Sequence, residues 1–241
     1  MRIALLLVVI GCAGPNLVAR PLPELVANVR PTAPIEVSAL QLPTGEALRW
    51  DVHYHGMTLG RAELSSGELE VTTRFQTGAL ASSIALIDYE LTTVLDRSAA
   101  RPSTARETLS RDGTTTHHEV TFDAESYTVG EPPVRNRVPQ GTPHTLHTAL
   151  GAIRAWAQPD AVAGFLFVVH AGKLYQLTLA RPNPETLLGT EALKIACRIR
   201  PQDGDGDIIT LSIWLTATPE RIPFRIAIAG DDSVTADLVD E

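Results

Sequence analysis

The feature that most constrains this chain is apolar–polar alternation with a period of two, repeated along most of its length. Leu48, Trp50, Val52 and Tyr54 alternate with Arg49, Asp51, His53 and His55. Successive side chains of a strand point to opposite faces, so this pattern predicts a strand with one apolar face. Gly56 marks a turn, and Met57 to Ser66 reads as the return strand. The alternation recurs at Leu69, Val71, Thr73 and Phe75, and again at Ile87, Tyr89, Leu91, Thr93 and Leu95. Arg106 to Ser110 and His118 to Phe122 form a further pair around Asp112-Gly113, a strong hairpin signal.

One helix interrupts the strands. Thr142 is placed to cap it and Pro143 suits its first position. Leu146, Ala149, Leu150, Ile153 and Ala157 share one stripe, His144, His147 and Arg154 lie off it, and Pro159 ends the helix. Beyond it, Val162 to His170 is a nearly continuous apolar run, expected as a central strand covered on both faces. Lys173 to Ala180, Leu193 to Ile199, Asp207 to Thr216, Ile222 to Ala229 and Ser233 to Val239 read as strands. The expected fold is mainly β: a curved antiparallel sheet or half-barrel of about ten or eleven strands, with one α-helix at about residues 143–157.

The two ends of the chain differ. Met1-Arg2 precedes the apolar run Ile3 to Ile10, and Gly11 precedes Cys12. A positive start, a short apolar stretch and a small residue before the cut form an export signal. The Cys that follows resembles the acylated first residue of bacterial lipoproteins. Residues 1–11 are therefore expected to be a lipoprotein signal peptide and Cys12 the lipidated residue. Ala13 to Thr44 contains six of the seventeen prolines and no apolar periodicity. It reads as an extended tether, at about 3.1 Å per residue; a short docked strand at Ile35 to Leu40 is the alternative. Residues 45–241 form a single domain, large enough for one substantial core. The apolar run is too short for the ~20 residues of a membrane helix, so attachment to a membrane falls to the lipid. The net charge of −8 argues against nucleic acid as a partner.

From Trp50 to Leu64 the run Trp-Asp-Val-His-Tyr-His-Gly-Met-Thr-Leu-Gly-Arg-Ala-Glu-Leu resembles the opening hairpin of a bacterial envelope family known as domain of unknown function 3108. Further likenesses are Val120 to Asp123, Ala152 to Ala155, Lys173 to Tyr175, and Ile213 to Thr216 followed by Arg221 to Ile226. The resemblance spans about residues 46–239. It implies an exported or lipid-anchored, mostly β protein, with a looser likeness to the curved sheets of lipoprotein carriers. The family has no established catalytic residues to carry over. The family often has an acidic residue in the turn after the Trp strand, which here reads Thr218-Pro219-Glu220-Arg221.

Residues suited to chemistry are sparse. His53 and His55 are two apart on one strand and share a face, a geometry that can chelate a metal with a third ligand such as His117 or His118. A solvated face is the simpler reading. Asp203, Asp205 and Asp207, spaced by glycines, resemble the start of a calcium loop. The position of the closing glutamate is Trp214, so a Gly-rich hairpin turn is expected instead. Cys197 lies in an apolar stretch and reads as a buried small hydrophobe. Nucleophile elbows, phosphate loops and zinc-protease helices are not found. No cofactor and no enzymatic activity are expected, with a dispersed hydrolase site as the least favoured reading.

Together these readings predict a lipid-anchored protein of the bacterial envelope that binds a lipid or other apolar ligand. Trp50, Phe75, Tyr89 and Trp214 are the expected lining residues. A protein–protein scaffold is the alternative. With Ala13 after Cys12, the outer membrane facing the periplasm is the expected location, and the soluble periplasm the alternative.

Overall fold

The computed structural model describes residues 33–79, 81–83, 86–204, 206–228 and 234–239. Cys12, the signal and most of the tether lie outside these residues. Among the described residues, sixteen strands and one α-helix make up the fold. The strands are β1 (Ala47–Tyr54), β2 (Met57–Ser66), β3 (Glu70–Thr77), β4 (Ile87–Asp96), β5 (Arg101–Arg111), β6 (Thr114–Phe122), β7 (Ser126–Val129), β8 (Val134–Arg137) and β9 (Pro143–His144). After helix α1 (Leu146–Trp156) come β10 (Gly164–His170), β11 (Lys173–Leu179), β12 (Asn183–Leu187), β13 (Thr190–Pro201), β14 (Ile209–Thr216), β15 (Pro223–Ile228) and β16 (Val234–Leu238).

All strands join one sheet in the order β8-β7-β6-β5-β4-β3-β2-β1-β16-β15-β14-β13-β11-β10-β9, with β12 added beside β13. The first and last strands pair antiparallel, Trp50 opposite Leu238 and Tyr54 opposite Val234, which joins the two halves of the meander. The ends at β8 and β9 do not pair with each other, so the sheet is open and curved. The strand count exceeds the expected ten or eleven because β7, β8, β9 and β12 are short, with two to five residues each. Tight two-residue turns drive the meander. At Asp112-Gly113 both residues have positive φ, 50° and 81°, the twist that matches a right-handed hairpin.

Strand β10 is buried at every position, as its sequence demands, but it is next to last in the sheet rather than central. Its double cover comes from curvature. Phe165, Phe167 and Val169 pack with Phe75, Tyr89 and Phe122, while Leu166 and Val168 pack with Leu179, Ile195 and Ile213. The edge of β10 is in turn covered by β9 and by Ala33 to Ile35, where the Ile35 amide donates to Phe165 O at 2.8 Å.

That contact moves the expected domain boundary. Ile35 and Leu42 are core residues, and the Gln41 amide donates to Gly151 O at 3.1 Å. Residues 33–44 are therefore a strap on the domain and not part of a free tether. The helix also starts later than expected. Pro143-His144 pairs in parallel with Phe167-Val168, so Thr145, not Thr142, caps α1. The Thr145 hydroxyl accepts from the Thr148 amide, and the Thr148 hydroxyl accepts from the Thr145 amide. No described helix is long and apolar enough to cross a membrane.

Candidate functional site, an apolar cavity beneath the helix

The inner face of the sheet and α1 line a partly open cavity of about 130 Å³. Period two aims its walls inward: Trp50 and Val52 of β1, Ala62 and Leu64 of β2, Thr73 and Phe75 of β3, Leu211 and Ile213 of β14, Val234 and Ala236 of β16. Leu146, Ala149, Leu150 and Ile153 of α1 close one end, the helical stripe expected from sequence. His170 and Tyr175, flanking the β10–β11 turn, also line the cavity.

No Asp, Glu, Lys or Arg is among the described lining residues. The polar side chains are Trp50, Thr73, His147, His170 and Tyr175. Most are engaged with protein partners. Trp50 Nε1 donates to Pro223 O at 2.8 Å. The His147 ring is held at both nitrogens, Nε2 2.7 Å from Thr73 Oγ1 and Nδ1 2.9 Å from Thr93 Oγ1. Thr93 Oγ1 continues the chain to Thr145 Oγ1 at 3.1 Å, tying the helix cap to the sheet. Burial pushes the His147 imidazole down to about 3, so it is neutral.

A second polar cluster lies against the cavity at the β10–β11 turn. Glu107 of β5 is buried, with Oε1 2.9 Å from His170 Nδ1 and Oε2 accepting from the Ala171 amide at 2.8 Å. Burial alone would raise its carboxyl, but the charge and hydrogen bond of His170 and the Ala171 amide outweigh it and hold the group below the ordinary carboxylate range. Tyr89 is fully buried beside it, and burial, then the Glu107 charge, pushes its hydroxyl well up.

Of the expected lining residues, Trp50 and Phe75 line the cavity. Tyr89 does not: it faces inward but is buried in the neighbouring cluster with Glu107. Trp214 does not either, because Leu211, Ile213 and Leu215 take the inward phase of β14 and leave Trp214 on the opposite face. There its indole NH donates to Glu185 of β12, and Lys194 sits 4.9 Å from its ring.

The metal-directed residues are dispersed. His53 Nδ1 is 3.4 Å from Thr58 Oγ1. His55 leaves the strand, with a left-handed φ of 48° at the turn, so the two rings do not share a strand face. His117 pairs with Thr108, and His144 is buried away from both. Asp203 is 3.4 Å from Lys173 Nζ in the β13–β14 turn; Asp205 lies outside the described residues, and Asp207 follows in the same turn. No group of three or more His, Cys, Asp or Glu among the described residues is placed to hold a metal. Cys197 is fully buried in the core, where burial pushes its thiol up.

The sequence pattern passed over His147, Glu107 and Arg154, but it carried a signal for two of them. Thr73, Thr93 and Glu107 occupy inward phases of β3, β4 and β5, where apolar residues are the rule. A polar residue there needs an interior partner.

No family model matches the chain, and no curated protein matches it. The likeness to the family of unknown function 3108 thus rests on the motifs quoted above. Among solved structures, the chain is similar to a β-barrel-like protein of domain of unknown function 1849 from Brucella abortus, with a TM-score of 0.55 and 11% identity over 80% of this chain and 95% of that one. The fold is β-barrel-like. Weaker similarities are to the lipoprotein LppX of Mycobacterium tuberculosis, with a TM-score of 0.26 and 11% identity over 80% of this chain and 84% of that one. A third is to a putative lipoprotein from Parabacteroides distasonis, with a TM-score of 0.24 and 8% identity over 84% and 98%.

Proposed function

We propose that this protein is a lipid-anchored component of the bacterial envelope that binds an apolar ligand beneath α1 without catalysing a reaction. The cavity carries the reading. Native interiors are packed with few voids larger than a water, and an engineered apolar cavity of ~150 Å³ stays dry and takes up benzene. A comparable volume, with no Asp, Glu, Lys or Arg among the described residues of its wall, suits an aromatic ring or a short length of alkyl chain. The anchor is read from Met1 to Cys12, and Ala13 after it favours the outer membrane.

Native mass spectrometry of the protein, purified from an envelope fraction without detergent after dilution, tests the ligand. A reproducible added mass that organic solvent extracts is the expected result. A clean unliganded mass, together with no calorimetric response to small apolar probes, would remove the reading. Cys12→Ala tests the anchor: the variant should move to the soluble fraction, and continued sedimentation with membranes would refute lipidation.

A further inference from the structure

We infer that the cavity selects a neutral amphiphile, an alcohol or ester with a short apolar body, and turns away the carboxylate of the same length. The inference rests on the apolar-ligand reading and sharpens it. Its basis is the charge arrangement at the β10–β11 end. His170 is the lining residue that touches an ionisable partner, and that partner is Glu107, 2.9 Å away. Both Glu107 oxygens are already bonded inside the protein, one to His170 and one to the Ala171 amide. The Glu107 carboxylate is thus held by protein donors at both oxygens. It also balances any charge on His170.

The groups packed around this pair supply no surplus positive charge to the cavity wall. Tyr89 on β4 and Tyr175 on β11 are buried phenols and neutral, Tyr89 pushed up by burial and then Glu107, Tyr175 by burial, then Asp203, then Glu107. His118, opposite Glu107 on β6, contributes to holding it ionised but does not line the cavity. Glu107 is held ionised, so its pair with His170 carries no net positive charge, and a ligand carboxylate would enter with no compensating cation. Bringing an unpaired charge into an apolar site is costly. A hydroxyl or ester oxygen carries no such cost and can accept from the protonated Tyr175 hydroxyl.

The test is calorimetry of the full chain at pH 8 with benzene, hexan-1-ol and hexanoate. Benzene and hexan-1-ol should bind, with hexanoate at least about tenfold weaker, a 1.4 kcal/mol gap. In Glu107→Gln, where the balancing negative charge is gone, the gap should narrow. In His170→Gln, which leaves Glu107 unbalanced, it should widen. Equal affinity for hexan-1-ol and hexanoate, binding of benzene without hexan-1-ol, or an unchanged gap in both variants would overturn the inference while leaving the cavity-binding reading intact. Silence from all three probes would instead overturn that reading.

Discussion

Arg154 of α1 and Glu46, the residue before β1, form a two-pronged ion pair: Nη1 to Oε2 at 2.6 Å and Nη2 to Oε1 at 2.8 Å. The Arg154 side chain is fully buried and that of Glu46 nearly so. The second nitrogen also donates to Glu220 O at 2.8 Å, in the turn before β15. One guanidinium thus joins the helix to the chain entering β1 and the chain entering β15, one in each half of the meander. In the same turn, Arg221 donates to Ala157 O at 2.9 Å, placing a cation at the helix C-terminus. Removing one partner of a buried pair strands the other charge and costs about 3–5 kcal/mol. Arg154→Leu and Glu46→Leu should each lower the urea midpoint on that scale, and the two combined should lose less than the sum. Strictly additive losses would show that the two side chains act independently.

The strap and the helix are fitted to each other at Gly151. A Cβ there would stand 2.8 Å from Leu42 Cγ and 3.2 Å from Leu40 Cβ. Alanine improves helix propensity by up to about 1 kcal/mol, but overpacking costs about 1–3 kcal/mol. Gly151→Ala should therefore destabilise the fold, and should make residues 33–44 more sensitive to limited proteolysis. A variant as stable and as protected as the parent would mean that the strap gives way without cost.

Period two is a local property, and it was enough to place β1 to β6 and the walls of the barrel in the sequence. Trp214 shows the limit of reading aromatic residues before phases: Leu211, Ile213 and Leu215 already define the inward face, and a tryptophan between them points out. Tyr89 has the correct phase, but whether an inward residue meets a void or a neighbour depends on strands far away in sequence. His147 and Arg154 look like solvent positions on a helical wheel. Their partners, Thr73 and Glu46, are 74 and 108 residues distant, and only the folded sheet brings them together. Strand β12 was hidden by Pro184, which an outer strand added beside β13 accommodates.

Acid should weaken the fold before its carboxylates titrate. Burial holds His147 down to about 3 and His144 down to about 4. An unfolded histidine titrates near 6.5, so below that pH the unfolded chain takes up protons that the native state refuses. The stability these groups lend is complete above pH ~6.5 and falls as pH drops toward their native values, by up to about 1.4 kcal/mol per pH unit for each. Glu107, held below its ordinary value, loses its contribution only below the unfolded glutamate value of ~4.3. Urea midpoints should decline from pH 7 to pH 5, and His147→Gln should flatten the decline. A midpoint constant across that interval would contradict neutral, buried rings.

Ala149 is the place to close the cavity from the helix side. It is buried, lines the void and lies on the stripe that faces the sheet. A methionine there can follow an irregular space because its side chain is unbranched and flexible. Filling a real void adds about 0.5–2 kcal/mol, whereas forcing a methionine into a packed core costs about 1–3 kcal/mol. The sign of the change therefore reports whether the space is empty. Ala149→Met should raise the melting temperature and abolish the calorimetric signal with benzene. The enlarging variant Ile213→Ala should lose about 2–5 kcal/mol and regain part of it when benzene is added, because a ligand that binds only the native state stabilises it by mass action. A destabilised Ala149→Met that still binds benzene would place the ligand somewhere other than beneath α1.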